Sequence, residues 1–226
     1  MIKAILFDLD NTLTDFMEMK HRSSEAAVRA MIGAGLPISR EKATTILYSL
    51  FEKHGMEDQE IFQKFLRKTM RNIDYRILAT GVVAYRKVKA GTLEPYPHVR
   101  RTLLNLKMQG ITLGILTDAP RMQAWLRLAS MQLTDFFDVV ITYDDTNKRK
   151  PHALPFRKAI DELQLAPEHI LMVGDMPQRD MVGAKRAGMQ TCFARYGYEG
   201  KIGKVNADYD IQDISEIIKI IQSNKA

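Results

Sequence analysis

The sequence predicts an α/β fold in which a doubly wound parallel sheet carries an inserted, all-helical domain. Short apolar runs of strand length recur along the chain, and helix-like stretches separate them. Continuous apolar runs are typical of strands buried on both faces of a parallel sheet, and the alternation is typical of a doubly wound fold. Residues 16–93 lack such runs and follow the helical period instead. We therefore expect a core of residues 1–15 and 94–226 and a helical insertion of residues 16–93.

Five strands and five helices are predicted in the core. The apolar runs that predict strands are residues 2–9, 112–116, 139–142, 170–173 and 191–193. The helical stretches that connect them are residues 99–109, 121–131, 154–163 and 181–187. A final helix is predicted by four isoleucines that share one helical face, Ile214, Ile217, Ile218 and Ile221. Asp213 precedes this helix as a candidate N-cap.

The insertion is predicted to contain four helices. Apolar residues follow the helical period within residues 28–32, 46–51 and 61–66, and a fourth helix is predicted over residues 75–88. The chain then returns to the core through residues 94–97, where Pro95 and Pro97 predict a stiff, extended link.

Composition indicates a soluble globular protein. Hydrophobic residues make up 46% and charged residues 27% of the 226 positions, which excludes a disordered chain and a fibrous repeat. No apolar run approaches the roughly 20 residues that cross a bilayer, and Asp8 and Asp10 interrupt the apolar start where a signal peptide would be uncharged. We expect a cytoplasmic protein with no membrane partner. Its single cysteine, Cys192, lies in an apolar run and is predicted to be a small buried hydrophobe.

The net charge of +6 raises the possibility of nucleic-acid binding. The whole excess lies in residues 16–93, which carry 14 basic and 8 acidic residues, whereas the rest of the chain is balanced. Because few aromatic residues accompany these basic residues, a solvated surface or an anion-collecting lid competes well with a nucleic-acid groove. We expect no nucleic-acid partner.

Polar and charged residues follow the predicted strands. In open α/β sheets ligands bind outside the carboxyl ends of the strands, so these positions are candidate site residues. They are Asp8, Asp10, Thr117, Asp118, Lys150, Asp175 and Asp180. Any one alone could be an ordinary turn or N-cap residue. Converging carboxylates repel one another unless a cation or a reaction requires them, so their joint occurrence predicts a functional site.

The order and spacing of these residues resemble the four motifs of the haloacid dehalogenase superfamily of phosphohydrolases. The corresponding segments are Asp8-Leu9-Asp10-Asn11-Thr12, Thr117, Lys150-Pro151, and Gly174-Asp175 with Asp180. The resemblance spans nearly the whole chain and implies a Rossmann-like core with a helical C1 cap. Residues 84–97 and 174–188 further resemble an archaeal branch that includes glyceraldehyde 3-phosphate phosphatases.

The chemistry of two carboxylates supports the same function. Asp8 is a competent nucleophile toward phosphorus, and Asp10, two residues on in an extended turn, points to the same side. Asp10 could therefore protonate the leaving oxygen and later deprotonate the attacking water. The superfamily resemblance implies the same roles. It also implies Mg²⁺ held by Asp8, the Asp10 backbone carbonyl and Asp175, with Asp180 outside the coordination sphere.

The remaining candidates are predicted to bind the phosphoryl group. Thr117 supplies a hydroxyl and Lys150 a fixed positive charge for the phosphoryl oxygens. The second motif of the superfamily commonly continues with Asn, whereas this chain has Asp118. A carboxylate facing the phosphate would repel it, so we expect only the Asp118 backbone N–H to bind substrate and its side chain to cap the following helix.

The sequence thus predicts a Mg²⁺-dependent phosphatase acting on a small phosphorylated metabolite, such as a sugar or triose phosphate, through an aspartyl phosphate. A phosphomutase is the alternative enzyme, and a noncatalytic basic binding module is the alternative outside enzymology. Asp10 argues against carbon–halogen cleavage, because the true dehalogenases of the superfamily lack this acid. No HExxH, Walker, GxGxxG or GxSxG pattern occurs, which disfavours a zinc protease, an NTPase, a dinucleotide enzyme and an α/β-hydrolase. We expect a monomer or a homodimer.

Overall fold

A computed structural model of the chain describes residues 1–200 and 203–224. The chain divides into two compact units. The core unit comprises Met1–Asp15 and Glu94–Ala226, and the helical unit comprises Phe16–Leu93. Among the described residues, no helix is both long enough and apolar enough to cross a membrane.

A six-stranded parallel sheet forms the centre of the core unit. Its strands are β1 (Ala4–Phe7), β2 (Thr112–Leu116), β3 (Val139–Ile141), β4 (Ile170–Gly174), β5 (Gln190–Ala194) and β6 (Tyr209–Ile211). They lie in the order β3-β2-β1-β4-β5-β6, and every neighbouring pair is parallel. This is the doubly wound order, in which the direction of winding reverses between β1 and β4. The predicted fold class is therefore confirmed.

The helical unit consists of four helices around one apolar cluster. They are α1 (Phe16–Gly33), α2 (Arg40–His54), α3 (Ile61–Met70) and α4 (Tyr75–Thr92). The cluster includes Met31, Leu47, Phe51, Phe65 and Leu66, all at most 1% exposed. Gly81 of α4 permits the close packing of α1, since a Cβ there would lie 2.1 Å from Met31 Cε.

Within the described part of the core unit lie six α-helices. They are α5 (Val99–Met108), α6 (Arg121–Ser130), α7 (Tyr143–Thr146), α8 (Ala153–Leu163), α9 (Val182–Arg186) and α10 (Ile217–Ser223). Helices α8 and α9 cover one face of the sheet, where Phe156 and Ala184 pack with Leu6, Leu116 and Met172 in a buried cluster. The alternate strand residues, such as Ile5 and Leu113, are buried as well, which explains the uninterrupted apolar runs in the sequence.

Four details of the core can be compared with the sequence predictions. Strand β6 was not predicted, because its exposed Asp210 leaves only one fully buried apolar residue, Ile211. Residues 177–181 form a π-helical turn, so the helix predicted from residue 181 begins at Val182. Asp213 caps the C-terminal helical segment by accepting a hydrogen bond from the Ser215 N–H at 2.8 Å, as predicted. Cys192 is fully buried in β5, which confirms its expected role in packing, and burial raises the pKa of its thiol.

The contact between α9 and α8 supplies a test of this packing. A Cβ on Gly183 would lie 2.2 Å from the Phe156 ring, so Gly183→Ala should lower the free energy of unfolding by about 1–3 kcal/mol in urea titrations. Gly91 of α4 has no atom within 4 Å of its Cβ position, so Gly91→Ala should leave stability unchanged or raise it by up to about 1 kcal/mol. Equal effects of the two substitutions would contradict the packing of α9 on α8.

Candidate active site

The residues that follow β1 and β4 meet in a buried cluster of carboxylates. Asp8, Asp175 and Asp180 each place a carboxylate oxygen within 4.8 Å of the others. All three are buried, with Asp8 the most exposed at 6%. They lie where β1 and β4 are neighbours, which is the point of reversal at which doubly wound sheets bind their ligands.

Lys150 balances part of this negative charge. Its ammonium lies 2.9 Å from Asp8 Oδ1 and 2.7 Å from Asp180 Oδ1, and it donates a hydrogen bond to the Leu116 carbonyl at 2.9 Å. Burial by itself lowers the pKa of the Lys150 ammonium, but Asp180, Asp8 and Asp118 outweigh burial and raise that pKa above its usual range. Lys150 therefore remains a cation at every physiological pH.

The backbone fixes Asp8 at the end of β1. Its N–H donates to the Val173 carbonyl of β4 at 2.8 Å, which continues the ladder between the two strands by one residue. Asp8 Oδ1 accepts a hydrogen bond from the Leu9 N–H at 2.8 Å. The first bond fixes the Asp8 backbone at the strand end, and the second restrains the orientation of its carboxylate.

Asp180 reaches the cluster through the π-helical turn Pro177–Met181. Its Oδ2 accepts a hydrogen bond from the Met176 N–H at 3.0 Å, and its backbone N–H donates to the Met176 carbonyl. The carboxylate packs directly on Gly174, where a Cβ would lie 2.4 Å from Asp180 Oδ2. Only glycine at position 174 leaves room for this carboxylate.

The two carboxyl groups beyond β4 resist ionisation. Burial, together with the negative charges of Asp8 and Asp180, raises the pKa of Asp175 to about 8. Burial likewise raises the pKa of Asp180 to about 6, although Lys150 opposes this shift. Asp175 Oδ1 is buried without a hydrogen-bond partner among the described residues. A cluster of three carboxyl groups with an unused buried oxygen fits a hard divalent cation such as Mg²⁺.

Asp10 has a partner that the sequence did not predict. Its Oδ1 lies 3.1 Å from the Nε of Arg127, whose side chain is only 1% exposed. The signal was present in the helix spacing, because Arg127 lies on the same face of α6 as the buried residues Ala124 and Leu128. A charged residue on an apolar helix face requires a buried partner, and reading that face would have identified Arg127.

The side chain of Asp118 does not cap the following helix, so that prediction was wrong. Asp144 from α7 accepts a hydrogen bond from the Arg121 N–H at the start of α6. Asp118 instead accepts from the Lys150 N–H at 2.9 Å and pairs with Arg179 at 3.2 Å. Its carboxylate is thereby directed to a backbone amide and a guanidinium, which removes the repulsion expected of an aspartate at this position.

Thr117 directly follows β2 and is buried, with 5% of its surface exposed. Its N–H donates to the Ile141 carbonyl of β3 at 3.0 Å, and its hydroxyl accepts from the Ala119 N–H at 3.2 Å. The Leu116 carbonyl that binds Lys150 directly precedes it. Thr117 and Lys150 are thus joined through one backbone group.

The segment after β5 also supports the first motif, and the sequence analysis overlooked it. The Tyr196 hydroxyl donates to the Thr12 carbonyl at 2.8 Å. Gly197 packs so tightly on the same loop that a Cβ would lie 1.5 Å from the Asn11 carbonyl oxygen. Reading the residues after every predicted strand, including the fifth, would have included both positions.

Comparison with known proteins identifies the class. Residues 5–194 match the haloacid dehalogenase-like hydrolase family. Because the match spans most of the chain, the protein belongs to this family, as the four motifs predicted.

Individual members of the family that resemble this chain indicate its class of enzyme. The chain is 34% identical over 226 residues to glyceraldehyde 3-phosphate phosphatase of Methanocaldococcus jannaschii, covering 100% of this chain and 99% of the relative. The crystal structure of a HAD phosphatase from Thermococcus onnurineus is 30% identical, covers 97% of this chain and 98% of its own, and has a TM-score of 0.73. YfnB of Bacillus subtilis, solved bound to magnesium, shares the fold at 24% identity, with coverage of 97% and 98% and a TM-score of 0.70. The protein is a phosphatase, and its resemblance to the archaeal branch is confirmed.

The raised pKa of Asp175 predicts how the metal-free protein responds to pH. Unfolded aspartate ionises near pH 4, whereas folded Asp175 stays protonated up to about pH 8, so unfolding releases a proton between these values. In EDTA, this group should make the protein less stable as the pH rises through that range. Asp175→Asn cannot titrate, so its stability relative to the wild type should increase up to about pH 8 and then level off.

Urea unfolding in EDTA at several pH values measures this difference. Asp161→Asn, at an exposed position of α8, is the control and should keep the wild-type pH dependence. A stability difference between Asp175→Asn and wild type that does not change with pH would contradict the assignment.

Proposed function

We propose that this phosphatase uses Mg²⁺ to hydrolyse a small phosphorylated metabolite through an aspartyl phosphate on Asp8. The observation that carries the proposal is the buried cluster of Asp8, Lys150, Asp175 and Asp180 at the reversal of the sheet. Four buried ionisable groups in such proximity are unfavourable for folding alone, and phosphoryl transfer requires a nucleophile, a cation and a metal site in one place.

In the first step, an Asp8 carboxylate oxygen attacks phosphorus and forms an acyl phosphate. The bond from phosphorus to the ester oxygen breaks, and Asp10 donates the proton that the departing alkoxide requires. Lys150, held 2.9 Å from Asp8 Oδ1, balances the charge that the transferred group brings next to the nucleophile.

In the second step, water attacks the phosphorus of the aspartyl phosphate. Asp10, now ionised, accepts a proton from that water, and the bond between phosphorus and the Asp8 oxygen breaks. Inorganic phosphate leaves and the Asp8 carboxylate is regenerated. Splitting the hydrolysis into two displacements lets one residue act first as acid and then as base.

Asp8, the Asp10 carbonyl and Asp175 would hold the magnesium ion, and Asp180 would orient Lys150 from outside the coordination sphere. A bound Mg²⁺ supplies charge neutralisation and a template for the phosphoryl oxygens. The assignment of Asp180 rests on its contacts, because both of its oxygens already face protein groups, Lys150 and the Met176 N–H. Asp175 Oδ1 has no such partner among the described residues.

The substrate oxygens would be bound by Thr117, Lys150 and the Asp118 backbone N–H. We propose further that the helical unit is the C1 cap and selects the substrate. Glyceraldehyde 3-phosphate is the first candidate substrate, because several archaeal relatives that match nearly the full chain carry that activity in their names.

Phosphate release from glyceraldehyde 3-phosphate tests the proposal. The purified protein with Mg²⁺ should release one inorganic phosphate per substrate consumed, and Asp8→Asn should reduce turnover by about 10³-fold or more, since an amide cannot form the acyl phosphate. The Asp161→Asn surface variant serves as the control. Conversion of a sugar phosphate without phosphate release would indicate a phosphomutase, and near-normal turnover by folded Asp8→Asn would exclude Asp8 as nucleophile.

Metal removal supplies a second, independent test. EDTA should abolish turnover, Mg²⁺ should restore it, and Ca²⁺ should support it poorly, because its larger and looser shell misplaces the nucleophile. Asp175→Ala should raise the Mg²⁺ concentration for half-maximal activity more than Asp180→Ala does. The reverse order would exchange the roles of these two aspartates, and full activity in EDTA would exclude the metal site.

A further inference from the structure

Arg127 is a fully buried arginine that none of the four motifs contains. It is among the largest side chains with less than 2% exposure, on a helix whose other buried residues, Ala124 and Leu128, are apolar. A guanidinium stays charged at all accessible pH values, so burying it is unfavourable unless an anion accompanies it. Asp10 places a carboxylate beside Arg127, with Nε and Oδ1 3.1 Å apart.

The orientation of the Asp10 side chain decides whether its carboxyl group can transfer a proton. Its side chain is 25% exposed, whereas that of Asp8 is 9% exposed. The backbone around it is fixed, because Asn11 adopts a φ of 56° and its N–H donates to the Thr14 carbonyl at 2.8 Å. A fixed backbone still allows several side-chain rotamers, and only one of them can place the carboxyl group beside a leaving oxygen.

We propose that Arg127 is a positioning residue for proton transfer: it holds the Asp10 carboxylate in the orientation that serves the leaving group and the attacking water. This inference rests on the proposed function, because it assigns to Arg127 the orientation of the proposed acid and base. In this role Arg127 acts through Asp10 and needs no contact of its own with the substrate. Arg127 lies on α6, a helix that begins three residues after Asp118. The helix that follows the second motif therefore orients Asp10 of the first motif.

The leaving group supplies a readout that a purely structural role would not change. Phenyl phosphate has a poor leaving group that needs protonation, whereas 4-nitrophenyl phosphate has a good one that needs little. Arg127→Met keeps an unbranched apolar stem without the charge. It should lower the rate of phosphoenzyme formation from phenyl phosphate by about 10- to 100-fold and from 4-nitrophenyl phosphate by less than about 3-fold.

Three further variants make the comparison specific. Arg127→Lys should partly restore the rate with phenyl phosphate, because an ammonium can still pair with Asp10 at longer reach. Leu128→Ala, at a neighbouring buried position of α6, should lower stability and affect both esters equally. Asp10→Asn combined with Arg127→Met should be no slower than Asp10→Asn alone, because two residues that act through one group are not additive.

A stability measurement tests the contact without using activity. Asp10→Asn should lower the urea midpoint of unfolding in the wild-type background, where it removes the negative charge beside buried Arg127. It should have a clearly smaller effect in the Arg127→Met background. Equal shifts in the two backgrounds would show that the side chains are not coupled and would overturn the proposal.

The remaining outcomes separate the two hypotheses. Equal losses for both esters in Arg127→Met, or additive losses in the double variant, would overturn the positioning role while leaving the phosphatase mechanism intact. A wild-type chain that is inactive on both esters with Mg²⁺ would overturn the proposed function and, with it, the reaction that Arg127 serves. A selective loss with phenyl phosphate, rescued by Arg127→Lys and absent in Leu128→Ala, would establish the role.

Discussion

The rest of the structure depends on the balance of charge in one buried cluster. Three carboxylates, those of Asp8, Asp175 and Asp180, lie within 4.8 Å of one another, and Lys150 contacts two of them directly. One ammonium does not neutralise three carboxylates, and burial, together with the remaining negative charge, raises the pKa values of Asp175 and Asp180. A further cation would therefore stabilise the ionised form of these carboxyl groups, and this is the physical basis for proposing a metal-dependent reaction.

The backbone around the cluster is arranged to bring these charges together. Asp8 is held by the ladder between β1 and β4, and Asp180 by a π-helical turn that directs its carboxylate onto Gly174. Because Gly197 has no side chain, the loop of the first motif can pack against its backbone at a distance that any Cβ would prevent. Parallel strands supply the framework, because all their carboxyl ends open on the same edge of the sheet.

Residues other than the proposed nucleophile, acid and metal ligands also orient the site. Asp118 joins the Lys150 backbone to Arg179, Tyr196 binds the Thr12 carbonyl, and Arg127 pairs with Asp10. Each acts on a motif residue that is distant in sequence. The groups proposed to react are thus restrained by neighbours from different strand ends, which is how a preorganised site limits the motion of its catalytic groups.

The sequence by itself determined the fold class, the family and the set of charged strand-end residues. Buried parallel strands leave continuous apolar runs, and residues directly after a strand must lie at the edge where ligands bind, so both signals are local. Strand β6 was missed, because a three-residue edge strand containing exposed Asp210 carries no such signal.

The partners of the site residues were decided only by tertiary structure. Nothing near Asp10 in the sequence indicates Arg127, which is 117 positions away on another element, and nothing local directs Asp118 to Lys150 and Arg179 rather than to its own helix. Side-chain pairing across elements depends on how helices pack on the sheet, and that packing minimises the free energy of the whole core rather than of any one segment.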